Sequence, residues 1–160
     1  MIPVAILAGG LATRMRPHTE TLPKSLLEVA GQPFLAHQLR ELSRQGIQQV
    51  VLCVGHFAEQ IEEFAGDGSA FGLQVTYSKE EGPLLGTGGA LINASRFVDT
   101  KEFIALNGDT IQELSIYNFL KKSKLDNSYF INVGCTINKK IDAGKFLINQ
   151  ENYIESFTEK

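Results

Sequence analysis

The chain has 160 residues, of which 43% are hydrophobic and 21% charged, and its formal net charge is −3. These values are typical of one globular domain with a core of ordinary size, and the negative charge argues against nucleic-acid binding, so local positive groups would have to hold an anionic ligand. Neither a signal peptide nor a long apolar segment is recognisable, which predicts a cytoplasmic protein that does not bind membranes.

The first predicted element is a short buried strand, Pro3–Leu7, which ends at Gly9 and Gly10. The segment that follows, up to Lys24, has neither a helical nor a strand period, and long loops within compact domains are usually functional or disordered. Its glycines let backbone N–H groups approach an anion, and Arg14 and Lys24 add positive charge, so we expect a phosphate site. The alternative is a tight turn without a ligand. The pattern is neither a dinucleotide-binding fingerprint nor a P-loop.

The rest of the chain alternates between helices and strands. Helices are predicted at Pro33–Gln45, His56–Ala65, Gly86–Phe97 and Leu114–Leu125. Strands are predicted at Ile47–Val54, Leu73–Ser78, Phe103–Leu106, Tyr129–Ile137, Lys145–Ile148 and Tyr153–Phe157. This alternation predicts right-handed βαβ units and a three-layer α/β/α, Rossmann-like domain with a mostly parallel sheet. Ligands of such sheets bind at the carboxyl ends of the strands.

A second glycine-rich loop, Gly82–Gly89, leads into the third predicted helix. Such a loop is either a flexible turn or a backbone surface against which a base or ribose lies.

The tetrapeptide Asn107–Gly108–Asp109–Thr110 follows a predicted strand. It is either a plain turn or a magnesium site, because Mg²⁺ binds one or two carboxylates together with phosphate oxygens and water.

The cysteines and histidines indicate no metal site. Cys53 and Cys135 both lie in apolar runs and are expected to be small buried hydrophobic residues. His18, His37 and His56 are dispersed and lack metal-ligand spacing, so we assign them no role.

The motif Leu7-Ala8-Gly9-Gly10-x-x-Thr13-Arg14-Met15-x-Pro17-x-Thr19, followed by Pro23-Lys24, resembles the signature of the sugar-1-phosphate nucleotidylyltransferases. It is most similar to bacterial enzymes that transfer a guanylyl group to heptose 1-phosphate or a uridylyl group to N-acetylmuramate 1-phosphate. This family usually has a second loop glycine where the chain has Ala12. An alanine there predicts a backbone without a positive φ.

The resemblance implies a fold of the nucleotide-diphospho-sugar transferase type, and it implies roles for the candidate residues. The catalytic residues would be Arg14, Lys24 and Asp109, with Asp109 holding Mg²⁺. The nucleotide-binding residues would be Leu7, Ala8, Gly9, Gly10, Thr13, Arg14, Gly86 and Thr87. The residues that bind the sugar phosphate would be Lys24, Gly144, Glu159 and Lys160.

The implied reaction couples a nucleoside triphosphate to a sugar 1-phosphate and releases pyrophosphate, with GTP and a heptose or mannose-type sugar as the best match. In the family the domain continues beyond the Glu-Lys pair, and a later aspartate is the second metal ligand. We therefore expect residues 1–160 to be a single domain without its C-terminal part. The resemblance is compatible with a monomer and with a homo-oligomer.

Two other functions stay open at this point. One is a non-catalytic domain of the same fold that senses a nucleotide or a sugar phosphate. The other is a Rossmann oxidoreductase, which needs a ribose-binding acidic residue about twenty positions past the glycines. The chain has a lysine, Lys24, and a short apolar run in that region, which disfavours the oxidoreductase.

Overall fold

The structure is a computed structural model, and it describes residues 2–80, 82, 85–111, 114–125, 145–151 and 154–158. The chain divides into two compact units, Met1–Leu120 and Lys121–Lys160. Several predictions lie outside the described residues: the strand at Tyr129–Ile137, the burial of Cys135, and the roles of Gly144, Glu159 and Lys160.

The first unit is built on a parallel sheet of four strands. The strands in chain order are β1 (Val4–Leu7), β2 (Glu28–Val29), β3 (Gln32–Pro33), β4 (Gln49–Val54), β5 (Gln74–Lys79) and β6 (Ile104–Asn107). The sheet has the order β5-β4-β1-β6, with every neighbouring pair parallel, while β2 and β3 form a separate antiparallel hairpin. Leu7 of β1 lies beside Cys53 and Asn107, so the three strands end together at one edge of the sheet.

Helices cover both faces of this sheet. The helices are α1 (Phe34–Arg44), α2 (Ala58–Ala65), α3 (Gly86–Ala94) and α4 (Ile116–Leu125). Val4 and Ile6 of β1 pack into the core that contains the apolar stripe of α1 and the buried residues of α2. Ala5, whose side chain points to the opposite face, packs with Ala90 and Ala94 of α3. The predicted three-layer, parallel α/β/α architecture is therefore confirmed.

The predicted bounds differ from the observed ones in places that have a physical reason. The helix expected from His56 begins at Ala58, because Phe57 adopts a left-handed φ of 60° that cannot continue a helix. The helix expected through Phe97 ends at Ala94 and continues as a 3-10 turn. The helix expected from Leu114 begins at Ile116, which is buried, and the next residue, Tyr117, is 74% exposed.

In the second unit, β7 (Lys145–Ile148) and β8 (Ile154–Thr158) form an antiparallel pair with a register shift between Leu147 and Ile148. This confirms the two short strands predicted for the end of the chain. Among the described helices of the whole chain, none has the length and apolar character that crossing a membrane requires.

Candidate functional site

The predicted phosphate loop begins at the carboxyl end of β1, between the ends of β4 and β6. The backbone N–H of Ala8 donates to the carbonyl of Cys53 at 2.9 Å, and the N–H of Gly108 donates to the carbonyl of Leu7 at 2.9 Å. These two bonds fix the start of the loop and the turn after β6 at the edge of the sheet. Parallel α/β sheets bind their ligands at this edge.

Two glycines allow the backbone segments to approach each other here. A Cβ atom on Gly9 would lie 2.8 Å from the backbone nitrogen of Gly55, and one on Gly108 would lie 2.5 Å from the carbonyl oxygen of Leu7. A Cβ on Gly10, by contrast, would meet nothing within 4 Å. Gly9 therefore serves packing, whereas Gly10 presents an accessible stretch of backbone to which an anion could bind.

Ala12 has a φ of 46° and a ψ of 37°, in the left-handed region. The expectation that alanine excludes a positive φ at this position is therefore wrong. Such a conformation costs on the order of 1–3 kcal/mol in a residue with a side chain. The carbonyl of Ala12 accepts hydrogen bonds from the N–H of Met15 at 3.0 Å and from the hydroxyl of buried Thr19 at 2.9 Å. These bonds offset the strain and hold the loop in this shape.

Arg14 lies in a short 3-10 turn, Thr13–Met15, in which no residue is buried. Among the described residues, no hydrogen bond or ion pair holds its guanidinium group. The structure thus leaves Arg14 exposed and available to an anionic ligand, but no contact joins it to Lys24 or Asp109.

Lys24 and Asp109, which are 85 positions apart in sequence, form a direct ion pair. The Lys24 Nζ lies 2.7 Å from the Asp109 Oδ2, and the two side chains are 37% and 41% exposed. The Thr110 hydroxyl donates to the other carboxylate oxygen, Oδ1, at 3.0 Å. The hydrogen bond from Lys24 holds the pKa of Asp109 below its usual value, against the opposing effect of partial burial. The carboxylate is therefore ionised at neutral pH.

The environment of Asp109 fits a magnesium ligand. Each carboxylate oxygen accepts one hydrogen bond and retains a further lone pair, and the side chain is partly exposed. No cluster of three or more His, Cys, Asp or Glu side chains that could hold a metal occurs in the described part of the chain. This donor set suits a cation shared with phosphate oxygens better than a site built from protein alone.

The second glycine-rich loop ends where α3 begins. Gly86, the first residue of α3, has a φ of 70°, and a Cβ on Gly86 or Gly88 would meet nothing within 4 Å. Thr87 is exposed. The carboxylate of Glu80 accepts a hydrogen bond from the N–H of Leu85 at 2.9 Å and so fixes the entry to the helix. The amino end of α3 is therefore an accessible surface of small residues.

Sequence reasoning missed two glutamines that hold the backbone of the site. The amide nitrogen of Gln38, in α1, donates to the carbonyls of Asn107 and Thr110, both at 2.9 Å. The amide nitrogen of Gln60, in α2, donates to the carbonyl of Thr21 at 3.0 Å. For Gln38 a signal was available, because a polar residue stands within the apolar stripe of an amphipathic helix.

Cys53, His37 and His56 make contacts within the fold. Cys53 is 2% exposed, and burial raises the pKa of its thiol to about 11, so it behaves as a small buried hydrophobic residue. The Nε2 of His37 donates to the carbonyl of Val29 at 2.8 Å and ties α1 to the β2–β3 hairpin. The ring of His56 packs against that of Phe57.

Comparisons with known proteins point to one family. A family model described as nucleotidyl transferase matches residues 4–160. The N-acetylmuramate alpha-1-phosphate uridylyltransferase of Neisseria meningitidis is 38% identical over 109 residues, which are 68% of this chain and 47% of that protein. The D-glycero-alpha-D-manno-heptose 1-phosphate guanylyltransferase of Campylobacter jejuni is 34% identical over 155 residues, 97% of this chain and 67% of that protein.

A solved structure extends the likeness to three dimensions. The crystal structure of HddC from Yersinia pseudotuberculosis, complexed with GMP-PN, superposes with a TM-score of 0.79 at 29% identity. The match covers 100% of this chain and 70% of HddC. The chain thus spans about half to two thirds of the length of the two curated relatives above.

Proposed function

Since the chain belongs to the nucleotidyl transferase family, we propose that it carries the catalytic site of an enzyme that couples a nucleoside triphosphate to a sugar 1-phosphate. The observation that supports this most strongly is the pairing of Lys24 with Asp109 at 2.7 Å. A cation and a carboxylate from distant parts of the sequence meet at the edge of the sheet where ligands bind. Phosphoryl transfer between two anionic substrates requires both kinds of charge.

The reaction proceeds by attack of an oxygen of the sugar 1-phosphate on the α-phosphorus of the triphosphate. A new phosphorus–oxygen bond forms, the bond from the α-phosphorus to the bridging β-phosphate oxygen breaks, and pyrophosphate leaves in line. The nucleophile is already an anion, so no general base is needed. Catalysis then consists of positioning and of neutralising charge on the phosphates.

The first loop binds the triphosphate in this proposal. Backbone amides from Gly9 and Gly10 to Thr13 surround the phosphates, and Leu7 and Ala8 complete the nucleotide site at the end of β1. The exposed guanidinium of Arg14 holds the departing β- and γ-phosphate oxygens, because its planar fork matches two oxygens at once.

Lys24 lies between the α-phosphate and the incoming sugar phosphate. Its side chain is 37% exposed, and its ammonium group contacts a single oxygen of Asp109, so it retains hydrogen-bond donors for phosphate. Asp109 would hold Mg²⁺, which would neutralise charge on the phosphate oxygens. Gly86 and Thr87, at the accessible start of α3, contact the nucleoside.

For the substrates we propose GTP and a heptose or mannose-type 1-phosphate. The support comes from two alignments. A heptose 1-phosphate guanylyltransferase aligns with 97% of the chain, and the mannose-1-phosphate guanylyltransferase of Mycobacterium tuberculosis aligns with 74% of it. Gly144, Glu159 and Lys160 remain our predictions for binding of the sugar phosphate.

The test is pyrophosphate release from GTP, UTP, CTP, ATP and dTTP, each with Mg²⁺ and a panel of sugar 1-phosphates. Asp109→Ala removes the proposed metal ligand. Asp99→Ala is the matched control, because Asp99 is an exposed carboxylate before β6, at the opposite end of that strand.

Turnover with one substrate pair that is lost in Asp109→Ala and retained in Asp99→Ala would support the proposal. Triphosphate binding without turnover of any pair would favour the non-catalytic sensing domain. Absence of both binding and turnover would reject a nucleotide site in this chain.

A further inference from the structure

Gln38 lies in a position where a hydrophobic residue is expected. It shares one face of α1 with Leu35, Leu39 and Leu42, and it is 5% exposed. Its Oε1 is buried and has no hydrogen-bond partner among the described residues. A buried acceptor without a partner is unfavourable, so the amide must make a compensating interaction elsewhere.

The compensating interaction is made by the nitrogen of the same amide. Nε2 donates to the carbonyls of Asn107 and Thr110, each at 2.9 Å. Both partners are acceptors, so only the NH₂ group can occupy this place, and each of its two hydrogens has a carbonyl. The two carbonyls flank Gly108 and Asp109. One buried side chain therefore holds both ends of the turn that carries the Asp109 carboxylate.

The opposite side of this turn rests on β1. The N–H of Gly108 donates to the carbonyl of Leu7 at 2.9 Å, and no Cβ would fit between the two segments. The Lys24–Asp109 ion pair is partly exposed, and exposed ion pairs contribute at most about 1 kcal/mol of interaction free energy. The place of the carboxylate is thus set by the backbone of the turn, which β1 and Gln38 hold between them.

We propose that Gln38 is a positioning residue, which holds the turn Asn107–Thr110 so that the Asp109 carboxylate meets Lys24 and a divalent cation. The inference rests on the proposed function for the identity of the cation. It adds a residue of α1 that contacts neither substrate nor metal. Partners that orient a metal ligand typically change metal affinity 10–100-fold when they are removed.

The chain offers a matched control in Gln45, directly after the same helix. The Gln45 amide nitrogen donates to the carbonyl of Leu114 at 3.0 Å, and its oxygen accepts from the N–H of Ile116 at 2.7 Å. Gln45 therefore also ties the segment after β6 to α1, but at the start of α4 and not at the Asp109 turn. Gln38→Met and Gln45→Met each remove a side-chain amide that is hydrogen-bonded to backbone groups.

The experiment has two readouts on the folded chain, whose integrity is checked by thermal unfolding. Mn²⁺ titration followed by electron paramagnetic resonance measures the affinity for a divalent cation without turnover. Hydrogen exchange of the buried Gly108 amide, which donates to the carbonyl of Leu7, measures in metal-free protein how firmly the turn is held. Gln38→Glu serves as a second variant of native shape, in which an oxygen replaces the donating nitrogen.

We expect both Gln38 variants to weaken Mn²⁺ binding by about 10–100-fold and to speed exchange at the Gly108 amide of the turn. Gln45→Met should leave both readouts at the wild-type level. Equal effects of Gln38→Met and Gln45→Met would overturn the inference, and so would unchanged exchange at the turn in both Gln38 variants. If wild type itself bound no Mn²⁺, the metal site of the proposed function would fail, whereas the exchange data would still decide whether Gln38 positions the turn.

Discussion

Glycine has opposite uses in the two glycine-rich parts of the candidate site. At Gly9 and Gly108 a Cβ would lie 2.8 Å and 2.5 Å from backbone atoms of a neighbouring strand end or turn, so the backbone itself occupies the space of the missing side chain. At Gly86 and Gly88, at the start of α3, a Cβ would meet nothing within 4 Å. The first group is packed and the second is open.

We expect the packed glycines to act on folding and the open glycines to act on ligand binding. The packed glycines bring the ends of β1, β4 and β6 together and so place the charges of Lys24 and Asp109 at one edge. The open glycines contribute nothing to the core and are expected to contribute to ligand contact. Substitutions in the packed part should therefore reduce stability, and substitutions in the open part should reduce binding.

Among the substitutions that test this comparison, the largest effect is expected at Arg14, whose exposed side chain belongs to neither group of glycines. Arg14→Ala should lower kcat/KM for nucleotidyl transfer on the order of 10³-fold, by analogy with other arginines that stabilise phosphoryl transfer. Urea unfolding should be unchanged. Arg16→Ala is the control, because Arg16 is also exposed and lies two residues further along the same loop. Equal losses in both variants would indicate a general charge effect.

Gly108→Ala tests the packed part. The added methyl group would meet the carbonyl oxygen of Leu7 at 2.5 Å, and a backbone atom cannot move aside as a flexible side chain can. We expect a loss of about 1–3 kcal/mol in the free energy of unfolding, measured by urea denaturation. A stability equal to that of wild type would show that the ends of β1 and β6 are not packed as the structure places them.

Gly88→Ala tests the open part, and its two effects should have opposite signs. Alanine is the better helix former, so the free energy of unfolding should rise by up to about 1 kcal/mol. Triphosphate affinity, measured by calorimetry, should fall because the methyl group occupies the surface proposed for the nucleoside. An unchanged affinity would remove the start of α3 from the binding site.

Ala12→Gly should stabilise the first loop, because glycine adopts a φ of 46° without strain. The relief of strain is offset in part by the larger entropy of an unfolded glycine, which leaves a gain of about 0.5–1 kcal/mol. Thermal unfolding measures it. A decrease in stability would mean that the loop needs the alanine side chain.

The smallest effect concerns pH and the Lys24–Asp109 pair. The pKa of Asp109 is lowered in the folded chain, so the pair stabilises the fold above the ordinary carboxyl pKa of about 4 and ceases to do so as pH falls through the folded pKa. Lys24→Ala should raise the pKa of Asp109 toward its usual value, as measured by NMR titration. The stability difference between variant and wild type should be small and should vanish in acid. A difference that persists there would have another cause.

The sequence predicted those features that depend on local pattern. The strands β1 and β4 are continuous apolar runs of the kind that parallel sheets bury on both faces, and the stripe of α1 has a clear helical period. The hairpin β2–β3 was missed because strands of two residues have no period to detect.

Features that depend on tertiary contacts were not accessible in the same way. The carbonyl of Ala12 is held by the hydroxyl of Thr19. The proposed role of Gln38 depends on the packing of the turn Asn107–Thr110 against α1. Lys24 was a candidate because of its charge in the first loop and Asp109 because it follows a predicted strand, and the family resemblance implied a catalytic role for both. Their direct contact required the three-dimensional arrangement, because 85 positions separate them.

The most direct test of the central claim is the rate of pyrophosphate release from GTP with Mg²⁺ and heptose or mannose 1-phosphate, compared among wild type, Asp109→Asn and Asp99→Asn. Asparagine keeps the shape of the side chain and removes the charge that would hold the cation. We predict a fall on the order of 10³-fold for Asp109→Asn, since a metal ion supplies several kcal/mol of charge stabilisation in such transfers. Asp99→Asn should match wild type. Equal activity of Asp109→Asn and wild type would contradict the assignment of the Lys24–Asp109 edge as the catalytic centre.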